Sequence, residues 1–540
     1  MWLLILVLVI YLLTCYSLSK VFPKANVDGN KAWIPGVNFI EWCQLIGRKP
    51  RFALWLLFPI VNIFIWTGMC VDLVRSFNRF GFMDSVWAVF FPPKVMLSIA
   101  NSDSDKYEGP ILEREAKYEA SLKAAIASKD KYEYNKIVQN NPFKKTTGRE
   151  WVESLFFAVF AAAFIRMFLI EAYVIPTPSM EGSLNVGDFL FVSKAHYGIR
   201  TPSTVAMVPL LHNRIPFINT ESYLEKPNID AVRLPALEKI ESGKPIVFNW
   251  PIGDSIYLTN SRSYAVMQIS QEPGFVQQDR QLANEIRKKN IITRPVDKRD
   301  HYIKRCIAVA GDSLEIRNRE VYVNGKPMPK PEHLQYLYII NVPPHVNINY
   351  KKLDEWGIDV GDKAGPTMAP DANGNMYLHL EESQVDKLKS LDPGIGAIIF
   401  PHEPESKKIF PNDPKHFNSW TVDDFGPIWI PKAGETVSIS KENIALYQRI
   451  INVYEDNDLK VTNDKIYING EEAQEYTFKQ DYYWAMGDNR HNSEDSRMWG
   501  FVPQDHIVGK PLFIWFSTKE GNISNGINWD RIFKSATSKQ

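Results

Sequence analysis

Cysteine is scarce in this chain: Cys15, Cys43, Cys70 and Cys306 are the only four in 540 residues. Three fall in or near the apolar N-terminal region, so the long remainder carries Cys306 alone and has no intramolecular disulfide available, whatever its redox compartment. No cysteine or histidine cluster has zinc-site spacing, which speaks against a structural metal. An excess of one charge sign is also missing, since 62 Lys and Arg balance 62 Asp and Glu. That balance leaves no electrostatic footprint for nucleic acid. The Gly-x-Ser-x-Gly elbow is absent, which argues against an α/β-hydrolase.

What the chain does have is apolar residues gathered into runs. Residues 2–18 are almost wholly apolar and long enough for a short or tilted span. A cleavable signal peptide competes, but there is no basic segment before the run and no small-x-small site before Lys20. Residues 52–71 read as a second span, in which Pro59 is tolerable inside a membrane. Residues 82–99 are interrupted by Asp84 and Pro92-Pro93-Lys94, and either span or lie in the interface. Residues 152–170 read as the last span, preceded by Lys144, Lys145 and Arg149, which the positive-inside rule places in the cytoplasm. Everything after Glu171 is then expected outside the cytoplasm. Three or four crossings remain open, and with them the side of the N-terminus. The charged stretch 101–145 reads as a solvated helix pair or linker.

From 173 to 517 the pattern is mostly strand-like. Val186 to Val192 turns at Gly187-Asp188 into a β run, Pro245–Trp250 is a short strand, and Tyr302–Val309 is another, stopped by Gly311-Asp312. Ser313–Val323 reads as a hairpin closing at Asn324-Gly325, and a similar hairpin recurs around Asn469-Gly470. The stretches 196–244 and 326–445 read as loop-rich insertions.

Three segments carry chemistry. In Ile175-Pro176-Thr177-Pro178-Ser179-Met180 two prolines hold the chain extended around Ser179. Serine is a weak nucleophile until a base lies within hydrogen-bond reach. Thr177 could aim its hydroxyl at a developing oxyanion. Taken alone, the segment could equally be a stiff exit from the membrane. In His301-Tyr302-Ile303-Lys304-Arg305-Cys306, Lys304 sits among apolar residues at strand alternation, and burial of an ammonium lowers its pKa. A surface lysine on an edge strand is the plainer alternative, and His301 is a second candidate base. The third segment, Gly487-Asp488-Asn489-Arg490-His491-Asn492-Ser493-Glu494-Asp495-Ser496-Arg497, is dense in hydrogen-bonding groups. It could be a capped polar turn, or it could place Ser493 on a lysine amine and pair Asp495 with Arg497. Ser438-Ile439-Ser440-Lys441 fits an S-x-x-K pattern but lacks a Lys-Thr-Gly partner and reads as strand.

Together, and in this order, IPTPSM, GD, YIKR…GD and GDNRHNSEDSRMWGFVP resemble the type I signal peptidases, membrane-bound proteases with a Ser/Lys dyad. The likeness covers the last span, 173–193, 300–325 and 481–517. It implies Ser179 as nucleophile, Lys304 as general base, Ser493 as the group holding the lysine and Thr177 as the side-chain oxyanion donor. Asp495 and Arg497 become a structural pair. Ile175, Pro176, Met180, Leu184, Tyr302 and Ile303 are expected to line a pocket for small side chains before the scissile bond. Cys306 and Pro178 depart from the residues usual at those positions. The extra N-terminal spans are similar to forms from Bacteroides-like lineages.

The resemblance implies a helical membrane region followed by a mostly-β catalytic domain with large loop-rich insertions. The expected division is 1–100 with two or three spans, 101–150 as a charged cytoplasmic helical segment, and 151–172 as a transmembrane helix. The β core would comprise 173–325 and 446–517, interrupted by an accessory region at 326–445 and followed by a tail at 518–540. The implied activity is removal of signal peptides from exported preproteins at the bacterial inner membrane, multi-pass, with the catalytic domain on the periplasmic side. Signal peptides, the lipid bilayer and the export machinery are the implied partners, and no cofactor or metal is required. A dedicated maturation protease of one export or conjugation system, or a catalytically silent scaffold, are the alternatives.

Overall fold

The computed structural model of the chain describes residues 2–57, 61–143, 147–204, 207–215, 220–226, 228–358, 370–404, 408–462 and 465–537. Lys144 and Lys145, on which the orientation argument leans, lie outside them, as does Pro59. The chain divides into two compact units, Met1–Phe160 and Ala161–Gln540.

The first unit is helical. Helices α1 (Trp2–Val21), α2 (Val37–Ile46), α3 (Val61–Ser76), α4 (Phe82–Phe90) and α5 (Pro92–Ala100) enclose a core of Leu18, Phe22, Trp42, Ile46, Leu73, Phe77 and Met96. One expected span and the run left open between spanning and lying in the interface are not continuous helices. The run 52–71 is divided between a 3-10 segment, Pro50–Leu57, and α3. The run 82–99 is split at Phe91, whose φ of −150° and ψ of 70° follow from the proline after it, because a residue before proline avoids the helical region. Each half is nine residues, about 13 Å at 1.5 Å per residue and far short of a bilayer. The charged stretch forms two helices, α6 (Ile111–Ala127) and α7 (Lys131–Gln139).

Helix α8 (Thr147–Phe164) continues through a π-helical end to Leu169. Among the described residues, Thr147–Leu169 is the one helix long and apolar enough to cross a membrane, and none of its apolar window is buried within the protein.

The second unit is built on a seven-stranded antiparallel sheet. Its strands are β1 (Ile170–Val174), β2 (Asp188–Ser193), β3 (Pro245–Asn249), β4 (His301–Ala308), β5 (Tyr482–Met486), β6 (Val502–Pro503) and β7 (Ile507–Ser517). They lie in the order β1-β2-β7-β3-β4-β5-β6. All five residues of β3 and of β5 are buried, which explains why all of them but Asn249 are apolar or aromatic. Gly187 turns the chain into β2 at φ +92°, and a Cβ there would lie 2.3 Å from the Thr518 carbonyl oxygen.

Two expectations need correction. The first hairpin pairs Ser313–Arg317 with Glu320–Val323 and turns at Asn318-Arg319, both at positive φ, rather than at Asn324-Gly325. Asn324-Gly325 makes the next turn, into Lys326–Pro327. A turn-forming dipeptide at each end of one short strand leaves the register ambiguous to sequence reading. The region 326–445 is also more ordered than loop-rich. It holds a three-stranded sheet of Tyr336–Asn341 between Asn375–Leu380 and Gly396–Ile399, a helix Glu382–Lys389, and its own core of Ile340, Leu353, Met376, Leu380 and Leu388.

Candidate active site

Ser179 sits in a single 3-10 turn, Pro178–Met180. Thr177 before it is extended, at φ −133° and ψ 152°, as the following proline requires. Pro178 opens the turn, where a missing N–H costs nothing. The polar motif after β5 holds this turn in place. The Asn489 backbone N–H donates to the Ser179 carbonyl at 3.1 Å, and the Asn489 side-chain amide donates to the Pro178 carbonyl at 3.3 Å. Gly487 allows that approach, since a Cβ there would lie 2.4 Å from the Ser179 carbonyl oxygen and 2.3 Å from Ser493 Oγ.

Lys304 comes from the middle of β4, paired with Ile246 of β3. Its Nζ lies 2.6 Å from Ser179 Oγ and also donates to the Ile303 carbonyl at 3.2 Å. Lys304 is 3% exposed and Ser179 7%. Burial pushes the lysine pKa down to about 8, against the pull of the Asp495, Glu494 and Asp488 carboxylates. A serine hydroxyl beside an amine that deprotonates this readily can be activated for nucleophilic attack. His301 also lines the cleft that holds Ser179 and Lys304, but its ring packs on Tyr173 and His212 at 4.8 and 4.3 Å between centroids. Burial and the neighbouring His212 push it well below the ordinary histidine range.

The Ser179–Lys304 pair opens into a cleft of about 1030 Å³. Ile175, Pro176, Thr177, Met180, Tyr302, Ile303 and Ser493 all line it. Leu184 does not: it lies beneath the floor, buried with Leu190, Ile514 and Ala536. It therefore supports Ile175 and Met180 rather than meeting the cleft. Ser493 also departs from expectation. No hydrogen bond joins its buried hydroxyl to Lys304, whose ammonium is directed at Ser179 and Ile303. Asp495 and Arg497 form a buried ion pair at 2.8 Å, and Asp495 also accepts the Gly487 N–H at 3.0 Å.

One edge of the cleft is open backbone. Strand β5 pairs with β4 only at Arg305, Cys306 and Ala308, so residues 301–304 have no strand on that side among the described residues.

The model of the family described as signal peptidase, peptidase S26, matches residues 148–339 and 428–516, more than half of the chain. The chain belongs to the signal peptidase S26 family. Residues 30–110 match a family of unknown function (DUF5684). The chain is similar to the signal peptidase I of Buchnera aphidicola subsp. Acyrthosiphon pisum, 24% identical over 408 residues that cover 74% of this chain and 88% of that protein. It is similar to the Helicobacter pylori (strain ATCC 700392 / 26695) signal peptidase I at 22% over 386 residues, covering 69% and 87%. A short stretch of 52 residues is 54% identical to the signal peptidase I of Buchnera aphidicola subsp. Baizongia pistaciae, covering 9% and 17%. As a member of this family the chain is a serine endopeptidase.

Sequence reasoning missed several residues that build this candidate site. Arg305, next to Lys304, reaches Asp488 at 2.6 Å, and Asp488 also accepts the Ser183 hydroxyl at 2.6 Å. Arg531, in the segment read as a tail, clamps Asp188 at 2.6 Å. The Gly-Asp pairs were visible in the sequence, but their cationic partners were not. His402, Asp423 and His491 also come together, with possible ligand atoms within 4.8 Å of one another. His491 Nδ1 accepts the Leu337 N–H at 3.2 Å, which leaves the proton on Nε2 to donate to Asp423 at 2.8 Å. The trio thus reads as a histidine–carboxylate link between the insertion and the 487–497 motif.

Proposed function

We propose that this chain removes signal peptides from exported preproteins at a bacterial membrane, with Ser179 and Lys304 as its dyad. The observation that carries the reading is the buried Lys304 amine, depressed to about 8, at 2.6 Å from the Ser179 hydroxyl in an open cleft. The substrate lies extended between Val174–Thr177 and the free edge of 301–304, adding backbone hydrogen bonds as a strand would. Ile175, Pro176, Met180, Tyr302 and Ile303 then shape the pockets that admit small side chains.

In the neutral state the Lys304 amine takes the Ser179 proton as Oγ attacks the scissile carbonyl. The oxyanion is met by the Ser179 N–H and the Thr177 hydroxyl. Lys304 returns the proton to the leaving amine, and water, activated by the same lysine, hydrolyses the acyl-enzyme ester. After acylation Ser179 Oγ no longer serves the lysine, and Ser493 Oγ becomes its partner. The helix Thr147–Leu169 supports a membrane anchor that sets the cleft at the bilayer surface, on the extracytoplasmic side of the inner membrane.

Incubation of the purified chain with a preprotein, followed by mass spectrometry of the new N-terminus, tests this reading. One cut after a small residue at the signal-peptide boundary is expected. No cut, or scattered cuts in the mature region, would overturn it.

A further inference from the structure

A smaller cavity of about 100 Å³ lies where the apolar helix ends, lined in part by Arg166 and Met167 of its last turn. Its space is enough for one small ion.

Its walls are unusually cationic. Arg166, Lys194, Arg200 and Lys298 face two carboxylates, Glu171 and Asp297. Both carboxylates are already engaged. Glu171 is bound by Arg166 at 2.8 Å and Lys194 at 2.7 Å. Asp297 accepts the Ser203 hydroxyl at 2.6 Å and both the N–H and the hydroxyl of Thr204 at 3.0 Å. Arg200 donates to the Asn249 side chain at 2.7 Å and to the Asp505 carbonyl, both uncharged acceptors. The two histidines of the wall add no charge, because burial pushes His212 down to about 4 and His301 well below its ordinary value.

Lys298 is the decisive group. It is 3% exposed, and among the described residues no carboxylate or carbonyl oxygen accepts from its Nζ. Its contacts are the Met207 sulfur at 3.3 Å and the Tyr223 ring at 5.3 Å from the centroid. A buried ammonium with so poor an acceptor carries a desolvation cost that the nearby Asp297 and Glu171 charges, already engaged elsewhere, offset only in part. The missing negative charge fits the cavity it faces. We infer that this cavity binds a phosphate-type oxyanion, held by Lys298 and Arg200 with Arg166 and Lys194 behind them. Lysine and arginine together are the donors suited to phosphate oxygens. At the end of a membrane-crossing helix the phosphate can belong to a lipid headgroup, or it can be free in solution.

The test uses the full chain in detergent. Inorganic phosphate is titrated by calorimetry, and phosphatidylglycerol retention is read by native mass spectrometry after reconstitution in nanodiscs. Binding of phosphate alone supports a soluble anion, and retention of the lipid supports a headgroup; absence of both overturns the inference. Lys298→Met should weaken whichever binding is seen by at least ~10-fold, while Lys298→Arg, which keeps the charge, should preserve it. Cleavage of a preprotein by each variant checks that it has folded, since Lys298 lies outside the active cleft. Undiminished binding by Lys298→Met would likewise refute the site.

Discussion

Arg305 and Asp488 form an ion pair sealed inside the catalytic unit, Nη2 to Oδ2 at 2.6 Å, with side-chain exposures of 1% and 0%. The pair ties the residue after Lys304 to the motif that grips the Ser179 turn. Asp488→Ala would leave the guanidinium buried with the Gly243 carbonyl and the Ser183 hydroxyl but without its carboxylate. Loss of one partner of such a pair costs about 3–5 kcal/mol. Thermal unfolding of the variant should show a drop of that order together with lost cleavage. A change below about 1 kcal/mol would mean that the pair is solvated in solution.

The dyad should behave as one unit. Ser179→Ala and Lys304→Ala are each expected to abolish cleavage of a preprotein while leaving membrane insertion intact. The double variant should be no slower than either single variant, because residues acting on one proton transfer are not additive. Single-turnover assays with excess enzyme measure this. Substantial activity in Lys304→Ala would remove the lysine from its role.

Much of the site was legible because its chemistry is local in sequence. Lys304 among Tyr302, Ile303 and Cys306 announces a buried strand position, whereas the segment that the prolines suggested would stay extended around Ser179 does so only as far as Thr177 and then enters a 3-10 turn at Pro178. What was not legible depends on long-range pairing. Leu184 lies four residues from Met180, close enough to suggest the same pocket, yet the turn between them carries it under the floor. Arg531 is 343 residues from Asp188, and nothing in either neighbourhood signals the pair. Pro92-Pro93 marked an interruption of the run 82–99 in the sequence, and the structure breaks it there at Phe91. The three strands of 336–399 were hidden by their separation, with a helix and proline-bearing turns between them.

Topology can be read directly. With 101–145 cytoplasmic and 173–540 external, protease added to intact spheroplasts should digest the catalytic region and spare the α6–α7 segment. The expectation rests on the basic residues before the helix Thr147–Leu169 and on that helix being the crossing. Digestion of α6–α7 with protection of the catalytic region would invert the orientation.

The pH dependence separates the two candidate bases. The folded-state pKa of Lys304 is about 8, below its ordinary 10.5, with burial as the main cause. Cleavage needs the neutral amine, so kcat/KM should rise with pH through about 8 and be nearly absent in acid. His301 is pushed well below 6.5, so a histidine base would already be competent in mild acid and give no limb near 8. The same shift acts on stability. Between about 8 and 10.5 the unfolded chain holds the lysine proton that the folded chain has released, so stability rises with pH across that window. Below it the charged lysine is destabilising by roughly 3 kcal/mol, and Lys304→Met should unfold at a higher temperature than the parent at pH 7. Thr177→Val should lower the plateau of the kcat/KM profile and leave its limb in place, since it removes only an oxyanion donor. Ser493→Ala should move the limb of the kcat profile if, as proposed, the lysine turns to the Ser493 hydroxyl after acylation. If Thr177→Val moved the limb and Ser493→Ala did not, the two roles would have to be exchanged or abandoned.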